Sequence, residues 1–481
     1  METTKQQLAK MIDYLKPQME FLNCHMVDYL TKNHWQTYVP VEIRKELKDS
    51  QDLLEAKQMF WNQNMLDLSG SLKFPSLAKH LTMTKQYRLD ALPGIVMSIE
   101  ELKSAFDSCL KETRLKVPDL MSVKKRHEVE IASEAVASLC TIVAGSIPSE
   151  NLDHVAVIDA GDGKGYLSSR VALEHGIKVL GIDSNMGNTI NAEKRRDRLK
   201  KKIAVAIKKS DFTDDDHFIN LLQENGSEPR YKTTNKLIDS DTNLIQLVKE
   251  KFPESDVSHF CLAGLHTCGN LGPNCLRLFH ENRYIHALCN VGCCYHLLVE
   301  EFVVDKYYNQ ERLKENSGFG FPMSEFLREK GFFLGRNVRN MAGESIDRSI
   351  FYSEEPNDKL GYRAMLQVIL AEQNADVDSQ VGKLKCTNFV DYARKSLKRL
   401  KIDNIHLSDD FLNELENKFE LELEQLKVYY LYRMTYAPIV EGVILLDRIL
   451  YLKECGYENS FLVKLFDPVV SPRCYSILAF K

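Results

Sequence analysis

The stretch 154–183 constrains this chain more than any other. Val155, Val157 and Ile158 form a short apolar, β-branched run that predicts a buried strand ending at Asp159. Gly161, Gly163 and Gly165 follow at alternate positions, and a helical pattern starts near Tyr166. Strand, glycine turn and helix together make the first half of a nucleotide-binding βαβ unit. Glycine suits the turn because the backbone must bend tightly and admit a ligand without a Cβ in the way. The helix N-terminus then offers unpaired N–H groups to a carboxylate or phosphate.

The spacing separates two classes of ligand. A dinucleotide fingerprint reads G-x-G-x-x-G, whereas here the third glycine comes one residue early. The pattern from Asp159 to Gly165 resembles the first motif of class I S-adenosylmethionine-dependent methyltransferases. A second strand, Lys178 to Ile182, ends in Asp183, which is placed to accept hydrogen bonds from ribose hydroxyls. A third strand is expected around Ala204–Ile207, leading to Ser210, Asp211 and Phe212. The resemblance implies that Asp211 accepts from the adenine amino group and Phe212 flanks the ring. The plain alternative is a βαβ fold that holds no ligand.

A chain of 481 residues with 44% hydrophobic and 27% charged residues reads as soluble and globular. Its net charge of −5 means that contact with nucleic acid must come from local basic patches. No apolar secretory segment follows Met1, so the 12 cysteines are expected as free thiols and the protein as cytoplasmic or nuclear. The apolar run Ala437–Leu446 is interrupted by Glu441 and is read as a buried core helix; no membrane insertion is expected.

Residues 1–120 are expected to form a helical N-terminal region, with Leu8, Ile12, Leu15 and Met19 on one helix face. It serves either as a packing domain or as a cap over substrate. The remainder, 121–481, reads as one α/β domain of class I methyltransferase type, a Rossmann-like sheet of seven strands. A polar insertion is expected at 213–256, and a mainly helical one at about 300–455 before the last two strands. Strand four is His259–Leu265, strand five Ile285–Val291, and two strands over 461–480 close the sheet.

Segments spread from 120 to the C-terminus resemble the methyltransferase-like protein 25 family, including a branch named for ribosomal RNA adenine dimethylation. They include the run from Met121 to Val129, the glycine loop through Leu167, and the runs Leu265–Leu271, Gly292–Tyr295 and Phe321–Ser324. Leu445–Leu452 and Ser471–Arg473 complete them. The resemblance implies a class I fold and S-adenosylmethionine (SAM) as cofactor. Adenine amino-group methyltransferases usually carry an Asn/Asp-Pro-Pro-aromatic motif after strand four; here that position reads His266, Thr267, Cys268, Gly269. The site that the branch's name calls for is therefore missing.

SAM is thus expected at Asp159, Gly161, Gly163, Gly165, Asp183, Asp211 and Phe212. In this fold the ends of strands four and five lie nearest the transferred methyl group. His266 is the candidate general base there, with Asn270 and Tyr295 orienting, unless it is simply a satisfied core histidine. Six of the cysteines fall between Cys261 and Cys294. Cys268 or Cys294 could act as a nucleophile, or the thiols could merely pack as small buried groups. Cys268, Cys293, Cys294, His266 and His296 could converge on zinc, but no C-x-x-C pair is present and no metal is expected. Lys124 and Lys125 precede strand one. Lys194, Arg195, Arg198 and Lys202 repeat at three- and four-residue spacing on one helix face. Such a face grips phosphates or is only solvated, so RNA is favoured slightly over protein as the substrate.

Overall fold

The computed structural model describes residues 1–62, 73–105, 121–147, 151–209, 229–302, 318–373, 381–402 and 407–481. The chain divides into two compact units. The first comprises Met1–Asp13, Leu92–Gly343 and Val440–Lys481, and the second Tyr14–Ala91 and Glu344–Ile439.

The first unit is built on one eight-stranded sheet. Its strands are β1 (Val96–Met97), β2 (Val155–Ala160), β3 (Lys178–Asp183), β4 (Tyr231–Asn235), β5 (His259–Cys268), β6 (Ile285–Cys293), β7 (Ser460–Lys464) and β8 (Tyr475–Phe480). Their order is β1-β7-β8-β6-β5-β2-β3-β4. Only β8 runs against its neighbours, pairing antiparallel with both β6 and β7. The order reverses beside β2, and that switch point is where open α/β sheets bind ligands. All six residues of β2 are buried, as expected for a strand covered on both faces.

The helices that shape the site are α1 (Val123–Gly145), α2 (Tyr166–Glu174), α3 (Met186–Lys209), α4 (Leu244–Lys251), α5 (Leu271–Glu281) and α6 (Ala437–Glu454). Ser122 caps α1 by accepting from the Lys125 N–H, and the small buried face of α1, Ala132, Val136, Cys140 and Val143, joins the core with Val157, Cys261 and Val291. Leu446 and Leu450 of α6 are buried, and no described helix is long and apolar enough to cross a membrane.

The second unit is helical. Leu366, Ile369, Phe389, Tyr392, Leu397 and Leu412 form one buried cluster. A second set of rings gathers Phe21, Tyr29, His34, Tyr429 and Tyr432. N-terminal helices and part of the helical stretch after strand five therefore share one body.

Three expectations about the sheet need correction. Ala204–Ile207 is not a strand: α3 runs unbroken from Met186 to Lys209. Ala192 and Leu199, two helical turns apart, are buried on the same helix, and periodicity over 24 residues outweighs a four-residue β-like run. The third core strand is β4, and it lies with α4 inside the stretch 213–256 that was expected as an insertion. The sheet also gains the short edge strand β1, paired with β7.

Candidate active site

The C-terminal ends of β2, β3, β4 and β5 open onto a cleft of about 840 Å³. One wall is the glycine loop. Gly161, Gly163 and Gly165 all have positive φ, at 81°, 61° and 68°. A Cβ on Gly163 would meet nothing closer than a carbonyl oxygen at 3.8 Å, so the loop backbone lies open to the cleft. A Cβ on Gly165 would stand 2.4 Å from the Tyr231 hydroxyl and 3.0 Å from Ala192 Cβ. The second position is glycine because α2, α3 and β4 meet there, the first because a ligand must approach.

The loop is held by carboxylates. Asp183 Oδ2 accepts from Gly163 N at 2.9 Å, and Oδ1 accepts from Asn185 N at 2.7 Å and Asn188 Nδ2 at 3.2 Å. Asp159 Oδ2 accepts from Ser168 Oγ at 2.8 Å. The Tyr231 hydroxyl donates to Asp162 Oδ2, while Oδ1 of Asp162 is buried without a donor. Burial pushes the Asp162 carboxyl up to about 6, against the donors from Ser168 and Tyr231. Burial, then the charge of Asp162, holds Asp159 well above the ordinary carboxylate range. The two carboxyls touch, and that contact is a hydrogen bond only while the pair keeps a proton.

The opposite wall comes from Lys125 of α1, the end of β5, the start of α5 and residues 297–299. Pairing of β5 with β6 shifts register between Gly264 and Thr267, so the strand's regular alternation is broken just where His266 and Cys268 reach the cleft. His266 Nε2 lies 3.5 Å from Oε2 of Glu128 on α1. Glu128 is buried; its Oε1 accepts from Ser471 Oγ at 2.7 Å, and Lys124 Nζ stands 3.6 Å away. Burial raises this carboxyl, but His266, Ser471 and Lys124 outweigh it and hold Glu128 below its usual range. Asn270 ties down the cleft rim, donating to Gly318 O at 2.8 Å and accepting from Val299 N at 2.9 Å.

Cys268 and Cys293 are direct partners across the β5–β6 ladder, with Sγ atoms 3.1 Å apart. Hydrogen bonding from Cys293, opposed by burial and helped by Cys294 and the His266 charge, brings the Cys268 thiol down to about 6. Hydrogen bonding to Cys268 and burial push Cys293 up.

Of the expected residues, Asp159, Gly161, Gly163, Asp183, His266, Cys268, Asn270 and Lys125 line the cleft. Gly165 sits behind them as a packing point. Tyr295 does not reach the cleft: it is buried and donates to Glu441 Oε1 at 3.1 Å. Asp211 and Phe212 lie outside the described residues. Lys194, Arg198 and Lys202 are exposed on α3, but Arg195 turns away from them and stacks 3.8 Å over the Tyr166 ring, which Lys125 also covers at 4.3 Å. Burial lowers Arg195 to about 10. His296 does not join the three thiols.

The sequence reading missed Glu128, Asp162 and the segment Lys236–Asp239, which lines the cleft beyond β4. Tyr231–Asn235 followed by Leu237, Ile238 and Asp239 carries the signal of a strand ending in apolar residues and an acid, obscured by its polar surroundings.

The cleft fits S-adenosylmethionine. Its volume lies within the usual range for such ligands. The glycine backbone at Gly163 is open, the buried Oδ1 of Asp162 lacks a donor, Asp183 sits at the ribose position, and Leu237, Ile238 and Leu271 provide apolar surface for a ring.

Residues 124–301 match a family described as a methyltransferase domain. The full chain is 30% identical over 610 aligned residues to the human protein named "Probable methyltransferase-like protein 25", covering 97% of that protein. It is 28% identical over 598 residues to the mouse protein of the same name, again covering 97%. The crystal structure of coclaurine N-methyltransferase bound to N-methylheliamine and SAH aligns with 99% of this chain and 100% of its own at 14% identity. Its TM-score is 0.21, and the fold stands on the sheet order without it. Motif, sheet and relatives agree: this is an α/β SAM-dependent methyltransferase, and the chain belongs to the methyltransferase-like protein 25 family.

Proposed function

We propose that this methyltransferase acts on RNA, with His266 as the base that receives the acceptor's proton. The observation that carries the substrate reading is the basic border of the cleft in a protein of net charge −5. Lys125, Lys164, Lys236 and Arg336 line the cleft itself. Helix α3 begins three residues after Asp183 and carries Lys194, Arg198, Lys201 and Lys202 on its exposed surface. Such a surface binds phosphates at a distance from the reacting base and adds affinity without sequence information.

SAM supplies a methyl group on a sulfonium, a good leaving group, so no acid is needed on the departing side. The protein's own work is to orient the acceptor and take its proton. His266 is partly exposed in the cleft and faces the buried Glu128 carboxylate at 3.5 Å. Glu128 is itself fixed by Ser471, so the imidazole has an ionised partner that orients the ring and stabilises it when protonated. Asn270 holds the rim in place and serves as a positioning residue.

The test is transfer from labelled SAM into fractionated RNA and protein from cells lacking this protein. Label is expected in an RNA fraction. Replacing Lys194, Arg198, Lys201 and Lys202 with Glu is expected to weaken RNA binding and reduce its salt slope by roughly 3, while SAM affinity stays unchanged. Label confined to protein, with an unaltered RNA salt slope, rejects the proposal.

A further inference from the structure

Cys268, Cys293 and Cys294 come from the ends of two adjacent strands, and their three Sγ atoms all lie within 4.8 Å of one another. Consecutive residues of a strand normally point to opposite faces. Here Cys294 takes the left-handed conformation, φ 50° and ψ 48°, which is uncommon for a residue other than glycine. That turn lets the neighbouring thiols of Cys293 and Cys294 both converge on Cys268. A tetrahedral zinc ion with Zn–S bonds of about 2.3 Å sets its sulfurs about 3.8 Å apart. The three thiols reach that spacing with shifts of about an ångström or less.

A second observation concerns charge. Arg448 of α6 is buried, and none of its three guanidinium nitrogens has a hydrogen-bond partner among the described residues. It packs against the strand that delivers the thiols: its Nη1 stands 2.5 Å from where a Cβ on Gly292 would be, and its charge bears on Cys293. A buried cation without hydrogen bonds is costly; the Tyr295 ring at 5.7 Å and the Asp447 charge offset part of that cost, and a further anion would offset more. Binding of Zn²⁺ by the three cysteines as thiolates forms three Zn–S bonds and releases to solvent whichever thiol protons remain. The resulting centre carries one negative charge, of the right sign and place to balance Arg448.

We propose that Cys268, Cys293 and Cys294 bind one zinc ion, with Arg448 as its buried counter-charge and the fourth coordination position open toward the cleft. No fourth Cys, His, Asp or Glu ligand atom joins the group among the described residues, and Cys268 lines the cleft. Three protein ligands with one open position are the arrangement of catalytic zinc sites, and thiolates favour zinc over magnesium or calcium. The inference does not depend on the acceptor being RNA.

The experiment is elemental analysis of the full chain purified without chelator, followed by zinc titration of the chelator-stripped protein. One zinc per chain is expected. Cys268→Ser is expected to lose it while keeping its urea denaturation midpoint, since the residue is exposed and its loss should leave the fold intact. Arg448→Met is expected to weaken zinc binding at least tenfold. Cobalt added to the stripped wild-type protein should give thiolate-to-metal charge-transfer absorption, a readout that needs no variant. Four results overturn the proposal: wild-type protein that neither carries nor takes up zinc, zinc retained in Cys268→Ser, a different metal in its place, or a Cys268–Cys293 disulfide in the freshly isolated protein.

Discussion

The two walls of the cleft hold buried carboxyl groups in opposite states. On the glycine-loop side, Asp159 and Asp162 sit against each other with neutral donors and, among the described residues, no adjacent cation, and burial raises both. On the other side, Glu128 is also buried, yet His266, Ser471 and Lys124 beside it hold it below its usual range. Burial alone does not decide a carboxyl's charge; the sign of what faces it does. The glycine-loop side is thereby a packed scaffold that shapes a binding surface. The Glu128 side carries a ready charge next to an exposed imidazole and thiol, where proton transfer can occur.

Breaking the scaffold should have the largest effect. Gly165→Val places a branched side chain at φ 68° against Tyr231 and Ala192. A destabilisation of about 2–5 kcal/mol is expected by urea denaturation, with SAM binding lost in calorimetry.

The contrast in charge should appear as opposite pH dependences of stability. Asp162 near 6 in the folded state binds more protons than its unfolded counterpart at 3.8. Its contribution therefore falls as pH rises from about 4 to about 6, by on the order of 3 kcal/mol, and is flat above. Asp162→Asn should reduce that slope, leaving the part of the same sign that the raised Asp159 adds. Glu128, lowered in the folded state, contributes stability above the ordinary carboxylate range and loses it as pH falls through its folded value. Glu128→Gln should remove a loss at the acid end only. Denaturation midpoints across pH 3–8 (roughly) check both signs; slopes of the same sign in the two variants would end the comparison.

A smaller effect separates binding from turnover. Glu128→Gln should lower kcat by about tenfold, as an orienting partner of a base, and leave SAM affinity alone. A weakened SAM affinity with unchanged turnover would place Glu128 on the wrong side of the division. The smallest change is Gly163→Ala: with open space around the Cβ, only the backbone conformation costs, roughly 1–2 kcal/mol. Its stability loss should be well below that of Gly165→Val, while both impair SAM binding.

Local patterns carried much of this architecture. The runs 155–159, 178–183, 259–265 and 285–291 were legible as strands because short apolar runs end at acids, glycines or a helix start. The third strand was not, because Tyr231–Asn235 has threonines and a lysine in place of an apolar run, while Ala204–Ile207 offered a more hydrophobic decoy. Tyr295 was misplaced for a related reason. It follows Cys293 and Cys294 at the end of β6, but the left-handed turn at Cys294 sends its ring into the core beside Glu441.

What the sequence determined by itself was the nucleotide-type turn, its three glycines, and the acid at the end of β3, because these depend on backbone conformation and on spacing within thirty residues or so. Tertiary structure alone decided the rest of the site. Glu128 meets His266, and Cys268 meets Cys293, because strand order and register bring distant segments together. No spacing rule announces a thiol pair that is 25 residues apart in sequence and opposite in a parallel ladder. The ionisation of buried carboxyls belongs to the same category: Asp159 and Glu128 are acids in any reading of the chain, and only the groups folded against them raise one and lower the other.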